Sequence, residues 1–84
     1  MSTRIQAEKT ARAAILRMAD NWAKNPKTIH HAIEAYRTVL KSDPESEEAD
    51  KAREALLKIA KDWEEDGELY SAQDLYKKLL FPEY

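Results

Sequence analysis

The sequence predicts an all-α fold: four antiparallel helices forming two stacked helical hairpins. Three observations carry that expectation. The chain repeats itself, since residues 11–22 (ARAAILRMADNW) answer 52–63 (AREALLKIAKDW) at an offset of 41, and 31–40 (HAIEAYRTVL) answer 71–80 (SAQDLYKKLL) at an offset of 40. A period near 40 made of two helical patterns marks a repeated helical hairpin. Within each block, apolar residues recur at three- and four-residue steps. Finally, the 84 residues hold one Gly and three Pro, which leaves few places for the chain to turn.

The first helix is expected from about Thr3 to Lys24. Its stripe is Ile5, Ala11, Ile15, Met18 and Trp22, and Ser2 or Thr3 is placed to cap it. Asn25-Pro26 ends it, because a proline disfavours helical backbone in the residue before it and suits the first turn of the next helix. The second helix covers about 26–42, with Ile29, Ala32, Ile33, Tyr36, Val39 and Leu40 as its stripe, and closes at Ser42-Asp43-Pro44. A third helix opens near Glu45 or Ser46. The acidic run Glu45, Glu47, Glu48 complements the positive end of its dipole. Its stripe is Ala49, Ala52, Leu56, Ile59, Ala60 and Trp63, and Gly67 is placed to end it as a left-handed residue. The fourth helix covers about 68–80, followed by the tail 81–84. Short turns force neighbouring helices antiparallel. The expectation is thus one domain over 1–84, with hairpin 1 at about 3–42 and hairpin 2 at about 45–80.

Composition narrows the function classes. Charged residues are 36% and apolar ones 43% of the chain, and there is no cysteine, so no disulfide framework or Cys-based zinc site is available. The N-terminal stretch is polar, and no window approaches the roughly 18 apolar residues of a membrane span. The expected setting is the cytoplasm, without membrane insertion. The net charge of −2 is unevenly divided: eight basic and three acidic residues give 1–42 a charge of +5, and six and thirteen give 43–84 a charge of −7. The asymmetry fits head-to-tail attraction between copies or a charged partner, and equally fits two ordinarily solvated faces.

A search for chemistry finds little. His30 and His31 are adjacent and point about 100° apart on a helix, so they cannot chelate one ion together. His30 with Glu34 supplies only two ligands, too few for a firm site. There is no nucleophile elbow, no phosphate-cradling glycine loop and no calcium-loop spacing. Glu64, Glu65, Asp66 and Glu68 form an acidic run at a helix end, read as solvated or as a contact for a basic partner. Arg4, Lys9, Arg12 and Arg17 are diluted by Glu8 and Asp20 and do not make a nucleic-acid stripe. Neither catalysis nor a metal or other cofactor is expected, and nucleic acid is not an expected partner.

The repeat resembles the tetratricopeptide repeat. Ala32, Tyr36, Val39 and Asp43-Pro44 sit at the spacing of that motif's second-helix Ala, aromatic, small residue and terminal Asp-Pro. Gly67, Ala72 and Tyr76 match its turn Gly, Ala and aromatic in the second copy. Ile15, Met18, Ala19 and Trp22, and again Leu56, Ile59, Ala60 and Trp63, match first-helix positions. The likeness covers residues 12–80. The chain departs from the pattern in one extra residue near Asn25-Pro26, in six residues inserted at 47–52 (about 9 Å of helix at 1.5 Å per residue), and in lacking the first-position Trp. The resemblance implies a fragment of a right-handed α-solenoid that binds a protein or peptide partner without catalysis. Carried over, the family's groove positions fall on Ala13, Leu16, Asp20, Ala23 and Lys24 in the first copy and on Glu54, Leu57, Lys61, Glu64 and Glu65 in the second. Leu16 and Asp20 stand where the carboxylate clamp of chaperone-binding members has Lys and Asn, so that activity is not implied. A weaker resemblance links residues 52–80 to the three-helix microtubule-interacting and transport domain, and the duplicated first hairpin argues against it.

Repeat stacks normally end in a helix with a polar outer face. The fourth helix carries Leu69, Leu75, Tyr76, Leu79 and Leu80, more than one face can tuck against the third helix. Leu75, Leu79, Leu80, Phe81 and Tyr84 are expected to leave an apolar association edge for a second copy or another protein, unless the tail folds back over it. The function expected is a scaffold or adaptor module that engages a partner protein, a peptide or itself.

Overall fold

The computed structural model describes residues 2–81. Among them are four α-helices and one short 3-10 turn, with no strand. The helices are α1 (Ser2–Trp22), α2 (Ile29–Ser42), α3 (Glu47–Glu65) and α4 (Leu69–Leu80). α1 already contains Ser2, so neither Ser2 nor Thr3 stands ahead of it as a cap.

The turns follow from local chemistry. α1 stops at Trp22, short of the expected Lys24, because Asn25 takes the extended conformation that Pro26 requires of it (φ −123°, ψ 123°). The Asn25 side chain then accepts from the Lys27 backbone N–H at 2.9 Å and caps the 3-10 turn Pro26–Thr28. The Thr28 hydroxyl donates to the Trp22 carbonyl at 2.6 Å, satisfying one of the open carbonyls at the end of α1. The extra residue of the first hairpin is absorbed in this turn. α3 begins at a sequence-legible cap, where Ser46 Oγ accepts from the Ala49 N–H at 3.0 Å. It ends as expected at Gly67, whose φ of 84° lies in the left-handed region. The Gly67 N–H bonds to the Glu64 carbonyl and the Glu68 N–H to the Trp63 carbonyl, the paired bonds of a Schellman ending.

Consecutive helices pack on one another, α1 on α2, α2 on α3 and α3 on α4. They run antiparallel. Trp22 at the end of α1 lies against His31 near the start of α2, while Arg12 at the middle of α1 reaches Ser42 at the end of α2. His30 at the start of α2 lies against Trp63 near the end of α3. The core is one cluster drawn from all four helices: Leu16 and Ala19 in α1, the α2 stripe, Ala52, Leu56 and Ala60 in α3, and Leu75 in α4. Ala19, Ala32, Ala52 and Ala60 are wholly buried. Their small side chains let helix axes approach while Tyr36, Val39 and Leu56 fill the space between them.

The stripe of the first helix is rotated from the expected one. Arg12, Leu16 and Ala19 are its buried residues, whereas Ile5 and Met18 are exposed. The cause is one-sided packing. α2 and the start of α3 cover one flank of α1, and no other described helix lies on the flank that carries Ala7, Ala11 and Met18.

Candidate interaction surfaces

The outer face of α4 is an uncovered apolar surface. Leu69, Gln73, Tyr76 and Leu80 are spaced i, i+4, i+7, i+11, so they share one stripe. Leu69, Tyr70, Leu80 and Phe81 are all exposed, Tyr70 at 90% and Leu80 at 72% of their free surface. Beside the stripe is an open depression of about 480 Å³ lined by Glu64, Leu69, Tyr70, Ala72, Gln73 and Tyr76. Its polar edge is fixed by the Tyr76 hydroxyl, which donates to Glu64 Oε1 at 2.8 Å. That bond to a carboxylate, with partial burial behind it, raises the Tyr76 pKa above the ordinary tyrosine value.

The repeat explains why this face is bare. At the offset of 40, Leu69, Gln73, Tyr76 and Leu80 answer Ile29, Ile33, Tyr36 and Leu40. On α2 those positions are better covered, Ile33 and Tyr36 being buried, because α2 packs between α1 and α3 and the Tyr36 hydroxyl reaches Asp20 of α1. No described residue roofs α4 in the same way. Of the residues expected at an association edge, Leu80 and Phe81 are exposed. Leu79 is half-buried against the core, and Leu75 is 2% exposed and belongs to the core, so it cannot form an edge. Leu75 fails as an edge residue because it shares a face with Ala72, and that face points at α3. Tyr84 lies outside the described residues. Tyr70, absent from the expected edge, is its most accessible member, and Leu69 is exposed beside it. Their equivalence to Ile29 and His30 was the available signal.

The groove positions implied by resemblance are not brought together. Leu16 is a core residue, only 9% exposed. It lies on the same flank of α1 as Lys9 and Arg12, whose side chains reach α3. Asp20 is exposed, but its Oδ1 accepts the Tyr36 hydroxyl at 2.5 Å. Burial, then this bond, raises the Tyr36 phenol well above its ordinary range. Lys24 lines a different cleft, between the two hairpin turns, with Pro26, Asp62, Asp66 and Glu68. In the second copy, Glu54, Leu57, Lys61 and Glu65 do line one shallow depression of about 320 Å³ on α3, where Leu57 is 39% exposed. Glu64 instead turns to the α4 side.

Two arrangements escaped sequence reading. Glu48, read as a dipole complement, is a buried anchor between hairpins. It accepts from Lys9 Nζ at 2.7 Å and from Arg12 Nε at 3.2 Å. The Lys9 hydrogen bond, reinforced by Arg12, holds the Glu48 carboxyl below the ordinary glutamate value against the opposing effect of burial, and the same bond raises Lys9. The histidines, set aside above as metal ligands, are exposed and each lies beside a tryptophan: His31 on Trp22 at 5.5 Å and His30 on Trp63 at 6.2 Å between ring centroids.

No family model matches the chain, and no curated protein or solved structure is significantly similar to it. Among the described residues, no group of three or more His, Asp or Glu is arranged to hold a metal ion. No helix among them is long and apolar enough to cross a membrane.

Proposed function

We propose that this chain is a non-catalytic protein-interaction module, built as two tetratricopeptide-like hairpins and working through the outer face of α4. The observation that carries the reading is the mismatch between equivalent positions. Ile33 and Tyr36 are buried on α2, which packs between α1 and α3, while the stripe holding Leu69 and Leu80 stands open. A stacked helical repeat buries its apolar faces against its neighbours, so an uncovered copy of a stacking face is a surface prepared for another helix. Exposed apolar patches of this kind mark association sites.

A photo-activated benzophenone residue in place of Tyr70, compared with one in place of the exposed Thr38 on α2, tests the proposal in the source cells. A discrete covalent adduct at position 70 and none at 38 is expected. No adduct at 70, or the same adducts at both, rejects the α4 face as the working surface.

A second reading has its own observation. Leu57, ringed by Glu54, Lys61 and Glu65, forms an amphipathic depression suited to a short peptide with basic and apolar groups. An adduct at position 61 that Leu57→Glu abolishes would favour it.

A further inference from the structure

The molecule carries both halves of its own stacking interface, one at each end. α3 docks on hairpin 1 with Ala52, Ala55, Ile59 and Trp63, spaced i, i+3, i+7, i+11. Ala52 is fully buried, the other three pack against the core, and Ile59 and Trp63 meet Ile29 and His30 across a cleft. At the offset of 41 the same face of α1 reads Ala11, Ala14, Met18 and Trp22. It is nearly the same surface, with two alanines retained, Met for Ile, and the tryptophan retained. Yet Ala11 is exposed and Met18 is 48% exposed, whereas Ala14 is half-buried and Trp22 packs against the core beside His31. At the other end, the outer stripe of α4 repeats the α2 stripe whose Ile29 and Ile33 line clefts with Trp63 of α3. The chain therefore exposes a plug on α1 and a matching seat on α4.

Resting on the reading of the α4 face as an interaction surface, we infer that its occupant is α1 of a second copy, so that copies join head to tail by repeating the contact between their own hairpins. Charge selects this pairing over a symmetric one. Within one chain the basic turn of hairpin 1 lies beside the acidic turn of hairpin 2, with Lys24 and Pro26 sharing a cleft with Asp62, Asp66 and Glu68. Repeating the hairpin-to-hairpin step places the next copy's Lys24 and Lys27 beside the far side of that acidic turn, where Glu64 stands. A +5 half then meets a −7 half at every junction. Two α4 faces meeting about a twofold axis would instead oppose two −7 halves.

The contact is weaker than the internal one. Gln73 replaces Ile33 at the middle of the seat, and Ala7 occupies the position of Glu48, so the anchor to Lys9 and Arg12 has no counterpart. A reversible, concentration-dependent association follows. Because the contact joins different surfaces, it does not close at two copies and continues as an open series.

The test uses the full chain and two single-face variants, Met18→Glu on the plug and Leu80→Glu on the seat, both at exposed sites. Weight-average mass is measured by sedimentation equilibrium from about 10 μM to about 1 mM, the range in which small reversible contacts are seen. Circular dichroism verifies that each variant is folded. For the unmodified chain, the mass is expected to rise through and beyond that of a dimer. Each variant alone is expected to stay monomeric, while their equimolar mixture gives a one-to-one complex and nothing larger, because only one plug and one seat remain intact. A monomer at all concentrations overturns the inference. So does an association that Met18→Glu leaves unchanged, or a mixture that stays monomeric. A monomer here combined with a foreign protein cross-linked at position 70 overturns the head-to-tail pairing alone. A monomer with no adduct at 70 overturns the α4 face as well.

Discussion

Leu16 and Leu57 are the same residue in two copies of one motif, and the structure treats them differently: 9% exposure for Leu16, 39% for Leu57. Truncating each to alanine measures the difference. Leucine to alanine removes about three methylene equivalents, which at roughly 0.8 kcal/mol apiece is about 2.4 kcal/mol for a fully buried side chain. Leu16 sits in the shared core, so a residual cavity adds to the transfer loss and Leu16→Ala is expected to cost about 3 kcal/mol. Leu57 opens onto solvent, no closed cavity forms, and Leu57→Ala is expected to cost about 1 kcal/mol or less. A domain of this length has a total stability of roughly 4–12 kcal/mol, so both variants remain foldable and the gap is large enough to resolve. Urea unfolding followed by tryptophan fluorescence gives both values, at micromolar protein so that association does not contribute. The urea slope should not change, since the surface exposed on unfolding is nearly the same. Equal costs for the two truncations would refute the reasoning, because they would mean that hairpin 2 shields neither leucine more than the other.

Three further outcomes follow from particular contacts. Tyr36→Phe removes the hydroxyl bonded to Asp20 and should cost about 1 kcal/mol in the same urea assay, because Asp20 is exposed and water replaces the lost donor. Gly67→Ala should destabilise by about 1 kcal/mol and Gly67→Asn by less, since φ is 84° and nothing lies within 4 Å of an added Cβ, so only backbone strain is tested. Glu48 is held below its ordinary value of 4.5, so its contribution is complete above that pH and is lost as the pH falls through the lowered value. Melting temperature recorded from pH 7 to pH 3 should therefore drop less steeply in Glu48→Gln than in the unmodified chain, and parallel curves would remove Glu48 as the anchor.

Helix number, order and most boundaries were legible because they rest on local signals: the 3.6-residue period, the Ser46 cap, the left-handed Gly67 and the prolines after Asn25 and Asp43. What a single helix face does was less legible, because a period shows that a stripe exists without showing how many neighbours cover it. Met18 and Ile15 satisfied the period on α1 as well as Leu16 did. Only the position of α2 and α3 on one flank decides that Leu16 is inside and Met18 outside. Leu75 was misplaced for the same reason, since α4 is short and apolar on more than one side. The Glu48 anchor depends on a sequence separation of 36 residues from Arg12, and no local pattern announces such a pairing. One clue was present, because Glu48 lies in the six residues inserted at 47–52. They lengthen α3 to 19 residues, so that its start reaches the 21-residue α1.

The differences between equivalent positions make a single pattern. Met18 is more exposed than Ile59, Leu57 more than Leu16, and the stripe holding Leu69 and Tyr76 more than the one holding Ile29 and Tyr36. Met18 faces away from hairpin 2 on the outer flank of hairpin 1, and the others lie on the outer flank of hairpin 2. A random scatter of exposed apolar residues would not separate by flank in this way, whereas removal of the neighbours on either side of a stacked pair would. The same logic orders the energetics. Residues of the shared core carry most of the stability, so substitutions there should unfold the chain. Residues on the two outer flanks are close to neutral for folding, and their apolar character has no role within one copy. A variant such as Leu80→Glu should therefore leave the urea midpoint of dilute protein nearly unchanged while abolishing any association. A large loss of stability from that substitution would show that the α4 face is covered from within the chain.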